Sequence, residues 1–184
     1  DWCGVALGAR SEEAQLAVSK VAMNWGTNGD AQVLLGGKSA PSAAAMINGT
    51  MAHCLDYDDT HVGSTTHVSG PTIASALAIG THLGASEVDI LSAIITGFEV
   101  AARLGNGAGQ PANLRGFHAT GIFGAFGATA AASVLYNLDE TRARNAFAAV
   151  ATQTGGLSAS FGTMSKPFHA GKAALNGVLS AELA

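Results

Sequence analysis

Residues 118–136 read HATGIFGAFGATAAASVLY and contain no Asp, Glu, Lys or Arg. Gly121, Gly124 and Gly127 recur at every third position, so in a helix they lie toward one side. A glycine on a helix surface lets a neighbouring backbone approach closely. Because the segment is apolar nearly all round, it predicts a helix that is buried on several sides in a tightly packed helical domain.

Six further helices are predicted around this segment. Ser86 with Asp89 resembles a capping box, and Gly84 suits the left-handed position after a helix. Residues 32–35 favour a short extended piece, and the glycines and proline of 105–116 predict an irregular loop. Without βαβ alternation, repeats or linkers, the fold class is all-α, with one partial domain over 1–184. The six helices span approximately 11–25, 42–53, 71–83, 87–104, 140–153 and 167–184.

Composition excludes several functions. The chain has 184 residues, is 48% hydrophobic and 12% charged, and has a net charge of −4, which leaves no basic face for nucleic acid. The apolar segments are too short or too often interrupted by charge to cross a membrane. Cys3 and Cys54 are too few for a disulfide framework, and no signal peptide is visible, so a cytoplasmic protein is expected. The predicted helices from residue 71 to residue 153 are nearly apolar all round, which indicates a dimer, missing polypeptide, or both.

Ionisable groups concentrate in one stretch, HCLDYDDTH at residues 53–61, followed by Thr66 and His67. A polar cluster between apolar helices is typical of a pocket for a small charged molecule. His53 and Asp56 are three residues apart and are predicted to pair on one helix face. The spacing of the aspartates fits no EF-hand, no zinc-type cysteine pattern and no His-Glu-x-x-His, so no metal site is expected. Helix capping and solvated turn carboxylates are the plainer interpretation of part of this cluster.

Two later motifs add groups that transfer protons or bind anions. His118 follows Gly116-Phe117 at a loop-to-helix junction, where an imidazole with a pKa near 6.5 can transfer a proton. The alternative is a helix-capping histidine. Lys166 precedes Pro167, the predicted start of the last helix, so its ammonium reinforces the positive helix end and attracts a carboxylate.

The ordered set of motifs resembles the MmgE/PrpD family. The resemblance covers nearly the whole chain, in the family's order and approximate spacing. It rests on the segments NGTMAH and LDYDDTH in 48–61, THVSG at 66–70, GFHATG at 116–121 and KPFHAG at 166–171.

This resemblance implies an all-α domain that a separate α/β lid completes, and the lid is expected to be absent from these 184 residues. It also implies a homodimer that uses no cofactor and acts on a small carboxylate. Carried over by position, the family's pocket residues are Asp56, Thr60, His67, His118 and Lys166. In the expected mechanism Lys166 and His67 neutralise carboxylates, His118 transfers a proton, Asp56 orients an imidazole and Thr60 hydrogen-bonds the substrate.

The expected activity is that of a carbon–oxygen lyase which dehydrates 2-methylcitrate. Decarboxylation of cis-aconitate and epimerisation of iminodisuccinate are alternatives, since all three reactions move a proton at a carbon next to a carboxylate. Two alternatives come from other classes: a non-catalytic fragment or scaffold, and a metal-dependent hydrolase built on the aspartates.

Overall fold

The computed structural model describes residues 1–25 and 29–184, and these form eight α-helices and one short antiparallel ribbon. The ribbon pairs Ala31 of β1 with Ser39 of β2. The predicted all-α class is confirmed. The elements are α1 (Trp2–Gly8), α2 (Glu13–Ala22), β1 (Ala31–Gln32), β2 (Lys38–Ser39), α3 (Pro41–His53), α4 (Ser69–Leu83), α5 (Glu87–Leu114), α6 (Ala119–Leu135), α7 (Glu140–Ala151) and α8 (Ser165–Glu182).

Helix α6 lies at the centre and packs against α4, α5, α7 and α8. Gly124 lies against Pro71 of α4, where a side chain would collide with the proline ring. Gly127 faces Gly97 of α5, and a Cβ at Gly127 would lie 2.8 Å from the Gly97 carbonyl oxygen. The predicted close helix–helix contacts of α6 are therefore confirmed.

Helix α3 is buried along almost its whole length between α4 and α8. Helices α1 and α2 cover its remaining side. Most of the buried apolar residues here are alanine, so the backbones pack closely. The packing brings His53, the last residue of α3, near the first turn of α8, and this junction forms the site described below.

The loop predicted for 105–116 is wrong, because α5 continues to Leu114. A glycine inside a helix costs roughly 1 kcal/mol relative to alanine. Here Gly105 and Gly109 face Ser64 so closely that a Cβ on either would overlap it. Packing against the turn at 62–64 offsets the helix-breaking tendency of these glycines. Helix α1 was not predicted, and the expected extended piece at 32–35 lies slightly earlier, at β1.

The predicted helix ends are confirmed where a cap defines them. Ser86 accepts a hydrogen bond from the Asp89 N–H at 3.2 Å, and Gly84 is left-handed with φ of +64°. Burial on several sides is confirmed for α4 and α6, whereas the described residues do not supply the neighbours that the same prediction requires for α5 and α7. Val88, Leu91 and Ile95 of α5 are exposed. Among the described residues, every helix is either too short or too polar to span a bilayer.

Candidate active site

The chain reverses direction directly after α3, and this turn returns a carboxylate to the helix end. Asp56 has φ of +56°, in the left-handed region that Asp tolerates better than most residues. Asp58 then places its carboxylate oxygens 2.9 and 3.0 Å from Nδ1 of His53, and both side chains are fully buried. The predicted pairing of His53 with Asp56 is therefore wrong, because α3 ends at His53 and the turn brings Asp58 to the imidazole instead.

Asp58 contacts a second imidazole. Its Oδ1 lies 3.4 Å from Nδ1 of His67, and Oγ1 of Thr60 lies 3.4 Å from the same nitrogen. Burial alone would raise the pKa of Asp58, but hydrogen bonds to His53 and His67 outweigh it and hold that pKa well below its usual range. Burial also disfavours the charged form of His67 and would lower its pKa, but the carboxylates of Asp58 and Asp56 outweigh burial and raise that pKa. His67 is thus biased toward the imidazolium form.

Lys166 reaches the same group of carboxylates from α8. The helix begins at Ser165, so Lys166 lies in its first turn and not before it. Its ammonium donates to Oδ1 of Asp56, and that oxygen lies 3.6 Å from Nε2 of His67. Burial opposes ionisation of Asp56, but the hydrogen bond and charge of Lys166 keep its pKa below the ordinary value. Lys166 and His67 therefore share one half-exposed carboxylate.

His118 belongs to a second group of side chains. It occupies the N-cap position of α6 and is buried, but its side chain does not cap the helix, so the capping role is wrong. Its ring stacks on that of His53 with centroids 5.8 Å apart and meets the ring of Phe161 edge-on at 4.9 Å. Its Nδ1 lies 3.0 Å from Nδ1 of His169.

Burial is the main cause that lowers the pKa of His118 to about 3, and nearby positive charge, including the Lys166 ammonium, lowers it further. Burial is also the main cause that lowers the pKa of His169. Both imidazoles are therefore neutral at neutral pH. A neutral imidazole next to a cavity is suited to accept a proton.

One cavity of about 340 Å³ connects the two groups, because His67, His118 and Lys166 all contribute to its wall. Its other lining residues include hydroxyl and amide side chains: Thr65, Asn113 and Ser158, together with the ring of Phe161. Lys166 also lines a second cavity of about 340 Å³, whose wall includes Glu12, Glu13 and Asp56. The first cavity offers donors and cations, whereas the second is rich in carboxylates. An anionic ligand is therefore expected in the first.

The structure brings most of the predicted site residues together. His67, His118 and Lys166 line one cavity, and Asp56 contacts two of them. Thr60 touches His67 but is exposed and lines a different cavity, beside α5. The prediction did not select His53, Asp58 or His169. For His169 a signal existed, since it follows Lys166 by three residues and therefore lies on the same face of a helix.

Four of these side chains also satisfy a simple criterion for a metal site. In the described residues, potential ligand atoms of His53, Asp56, Asp58 and His67 all lie within 4.8 Å of one another. Imidazole and carboxylate ligands suit several divalent transition metals. Against such a role, the ammonium of Lys166 already supplies a positive charge at Asp56.

Comparison with known proteins agrees with the ordered motifs. Residues 1–184 match the MmgE/PrpD N-terminal domain. The chain belongs to the MmgE/PrpD family. It is 35% identical over 149 residues to human (Homo sapiens) cis-aconitate decarboxylase. The aligned region covers 78% of this chain and 31% of the relative. The chain is 32% identical over 156 residues to cis-aconitate decarboxylase from Aspergillus terreus, covering 81% and 32%. The chain thus spans about a third of the length of the curated relatives it matches.

Proposed function

We propose that the protein containing these residues is a lyase that decarboxylates cis-aconitate or a closely similar small tricarboxylate. Three groups around one cavity support this function: the cations Lys166 and His67, and the neutral imidazole of His118. The names of the relatives described above direct the choice of reaction, since both are cis-aconitate decarboxylases.

In the proposed reaction the carboxylates of the substrate bind to Lys166 and His67, which exchange their contact with Asp56 for the ligand. The C–C bond to one carboxylate breaks and carbon dioxide leaves. The electron pair of that bond shifts through the double bond, and a carbon next to another carboxylate takes a proton from His118. His118 regains its proton from water. Because the substrate brings negative charge beside His118, it raises the pKa of this imidazole from its low value in the free site.

Dehydration of 2-methylcitrate is the second proposal, and the neutral state of His118 favours it. Elimination of water begins with removal of a proton next to a carboxylate, which requires a base. His118 is unprotonated in the free site, and the negative charge of a bound carboxylate would raise its pKa and strengthen it as a base. Lys166 or His67 would then protonate the departing hydroxyl group. The groups described here serve both reactions, so the choice between them depends on a direct assay.

The test uses the full-length protein with cis-aconitate and with 2-methylcitrate, each followed by ultraviolet absorbance and by mass spectrometry of the product. Carbon dioxide and an unsaturated dicarboxylate from cis-aconitate support decarboxylation. 2-Methylaconitate from 2-methylcitrate supports dehydration. Turnover of neither substrate would contradict both proposals and favour a non-catalytic scaffold.

Lys166→Met tests the proposed carboxylate contact within the same assay. It should raise KM more than it lowers kcat if Lys166 binds substrate and transition state equally. Lys20→Met, which removes an exposed lysine of α2, is the matched control and should behave like the unmodified protein. Unchanged KM and kcat in the Lys166 variant would contradict the assignment.

A further inference from the structure

The pairing of His118 with His169 has a chemical consequence beyond burial. The two Nδ1 atoms are 3.0 Å apart, so one of them donates a proton and the other accepts it. One ring comes from the N-cap of α6 and the other from the second turn of α8. With Nδ1 of His118 engaged by His169, Nε2 is the ring nitrogen left to exchange a proton with a ligand.

The direction of this hydrogen bond decides whether His118 can work as an acid and a base. If His118 donates from Nδ1, its Nε2 carries a lone pair, can take a proton, and can return it while Nδ1–H stays in place. If His169 donates instead, Nε2 of His118 already holds its proton and Nδ1 has no free lone pair. In that second arrangement His118 can accept nothing from a substrate.

We propose that His169 is a positioning residue that accepts the hydrogen bond from Nδ1–H of His118 and so keeps Nε2 as the proton-transferring atom. This inference rests on the proposed function for the role of His118. Both rings are neutral and each offers one lone pair, so the role that the proposed function gives to Nε2 of His118 makes His169 the acceptor. When His118 becomes imidazolium, the same bond turns into a charge-assisted one and stabilises the protonated state.

Gly156 supports the contact itself, because it leaves room for the two rings to meet. Its φ is +141°, which side-chain-bearing residues rarely adopt, and a Cβ there would lie 3.2 Å from Nδ1 of His169 and 3.3 Å from Cβ of His118. Its carbonyl accepts the backbone N–H of His118 at 3.0 Å. The loop at Gly156 therefore fixes the backbone of His118 and admits His169 beside it.

The first experiment needs no substrate. The full-length protein is labelled with ¹⁵N-histidine, and the His118 ring nitrogens are assigned by comparison with the spectrum of His118→Gln. The proposal expects a protonated Nδ1 and an unprotonated Nε2 in the free protein at pH 7. The opposite tautomer would overturn it. Because this result does not depend on turnover, it stays meaningful even if the proposed lyase activity fails.

The second experiment compares two variants at position 169 in the assay that shows activity. His169→Leu removes the acceptor and should lower kcat by about 10- to 100-fold with little change in KM, by analogy with residues that orient metal-binding histidines through the same kind of hydrogen bond. His169→Asn keeps an acceptor oxygen near the position of Nδ1 and should recover most of kcat. His82→Asn, at an exposed histidine of α4, is the control.

Two kinetic outcomes would overturn the proposal. One is a His169→Leu variant with the kcat of the unmodified protein. The other is a His169→Asn variant as slow as His169→Leu, since this would mean that the bulk of the ring matters and its acceptor does not. The pH profile adds a further reading, because loss of the acceptor should shift the limb that reports His118 to lower pH.

Discussion

The half-buried His67 and the buried His118 line the same cavity but have opposite electrostatic surroundings. His67 has the carboxylates of Asp58 and Asp56 as neighbours, and its pKa is raised. His118 has another imidazole and a phenyl ring, and its pKa falls to about 3. Burial acts on both in the same direction. The difference therefore comes from their partners, and it places an imidazole biased toward the charged form on one wall of the cavity and a neutral imidazole on the other.

The largest effect is expected from replacing His118, the neutral histidine of the pair. His118→Gln in the full-length protein should reduce kcat by about 10²- to 10⁴-fold, the usual contribution of a group that transfers the proton. Initial rates at saturating substrate measure the effect. His82→Gln serves as the control because His82 is an exposed histidine outside the cavity. Near-normal turnover of the His118 variant would mean that another group moves the proton.

Replacing Asp58, the buried carboxylate that contacts His53 and His67, should reduce the stability of the fold. Asp58→Asn takes a charged acceptor from His53 and His67 in a buried place, so we expect a loss of about 3 kcal/mol in the free energy of unfolding. Urea denaturation of the variant measures it. Asp30→Asn is the matched control, since Asp30 pairs with Lys38 on the surface at 3.2 Å and should cost less than about 1 kcal/mol. Equal losses in the two variants would contradict a structural role for the buried carboxylate.

A pH scan of stability should separate the two histidines by sign. The folded-state pKa of His118 is lowered, so below about pH 6.5 the unfolded chain binds a proton that the folded chain does not, and stability falls with acidification. The folded-state pKa of His67 is raised, so its contribution is fully present below pH 6.5 and is lost as the pH rises through its folded-state pKa.

Between pH 7 and pH 5 we therefore expect opposite changes in two variants. His118→Gln should lose about 1–2 kcal/mol less stability on acidification than the unmodified protein, and His67→Gln should lose more than it. Urea midpoints at the two pH values give both numbers. If stability changed by the same amount in both variants between the two pH values, the neighbouring side chains would not be what separates the pKa values of His67 and His118.

The sequence predicts those features that depend on local pattern. Helix α6 follows from its apolar run, and the end of α4 and the start of α5 follow from Gly84 and Ser86, because caps and periodicity act within one turn. The family motifs place His67, His118 and Lys166 in one pocket, and the structure brings them to one cavity.

The features that the sequence does not predict depend on contacts between distant segments. Gly105 and Gly109 read as loop residues, yet they are helical because the turn at Ser64 packs on them. The pairing of Asp58 with His53 depends on a left-handed residue at Asp56, which no periodic pattern specifies. The contact between His118 and His169 joins residues 51 positions apart, through the packing of α6 on α8.

The smallest effect is expected from removing metal ions. The proposed reactions use Lys166 and His67 as the cations, so activity of the full-length protein should stay within about twofold after extended treatment with a chelator. The cluster of His53, Asp56, Asp58 and His67 makes this a real test, because it is the set in the described residues that could hold a divalent ion. Activity that is lost on chelation and restored by added Zn²⁺ or Mn²⁺ would mean that this cluster around His67 is a metal site. The bond from Lys166 to Asp56 would then have to open before the ion could bind, and Lys166→Met would be expected to bind the metal more tightly.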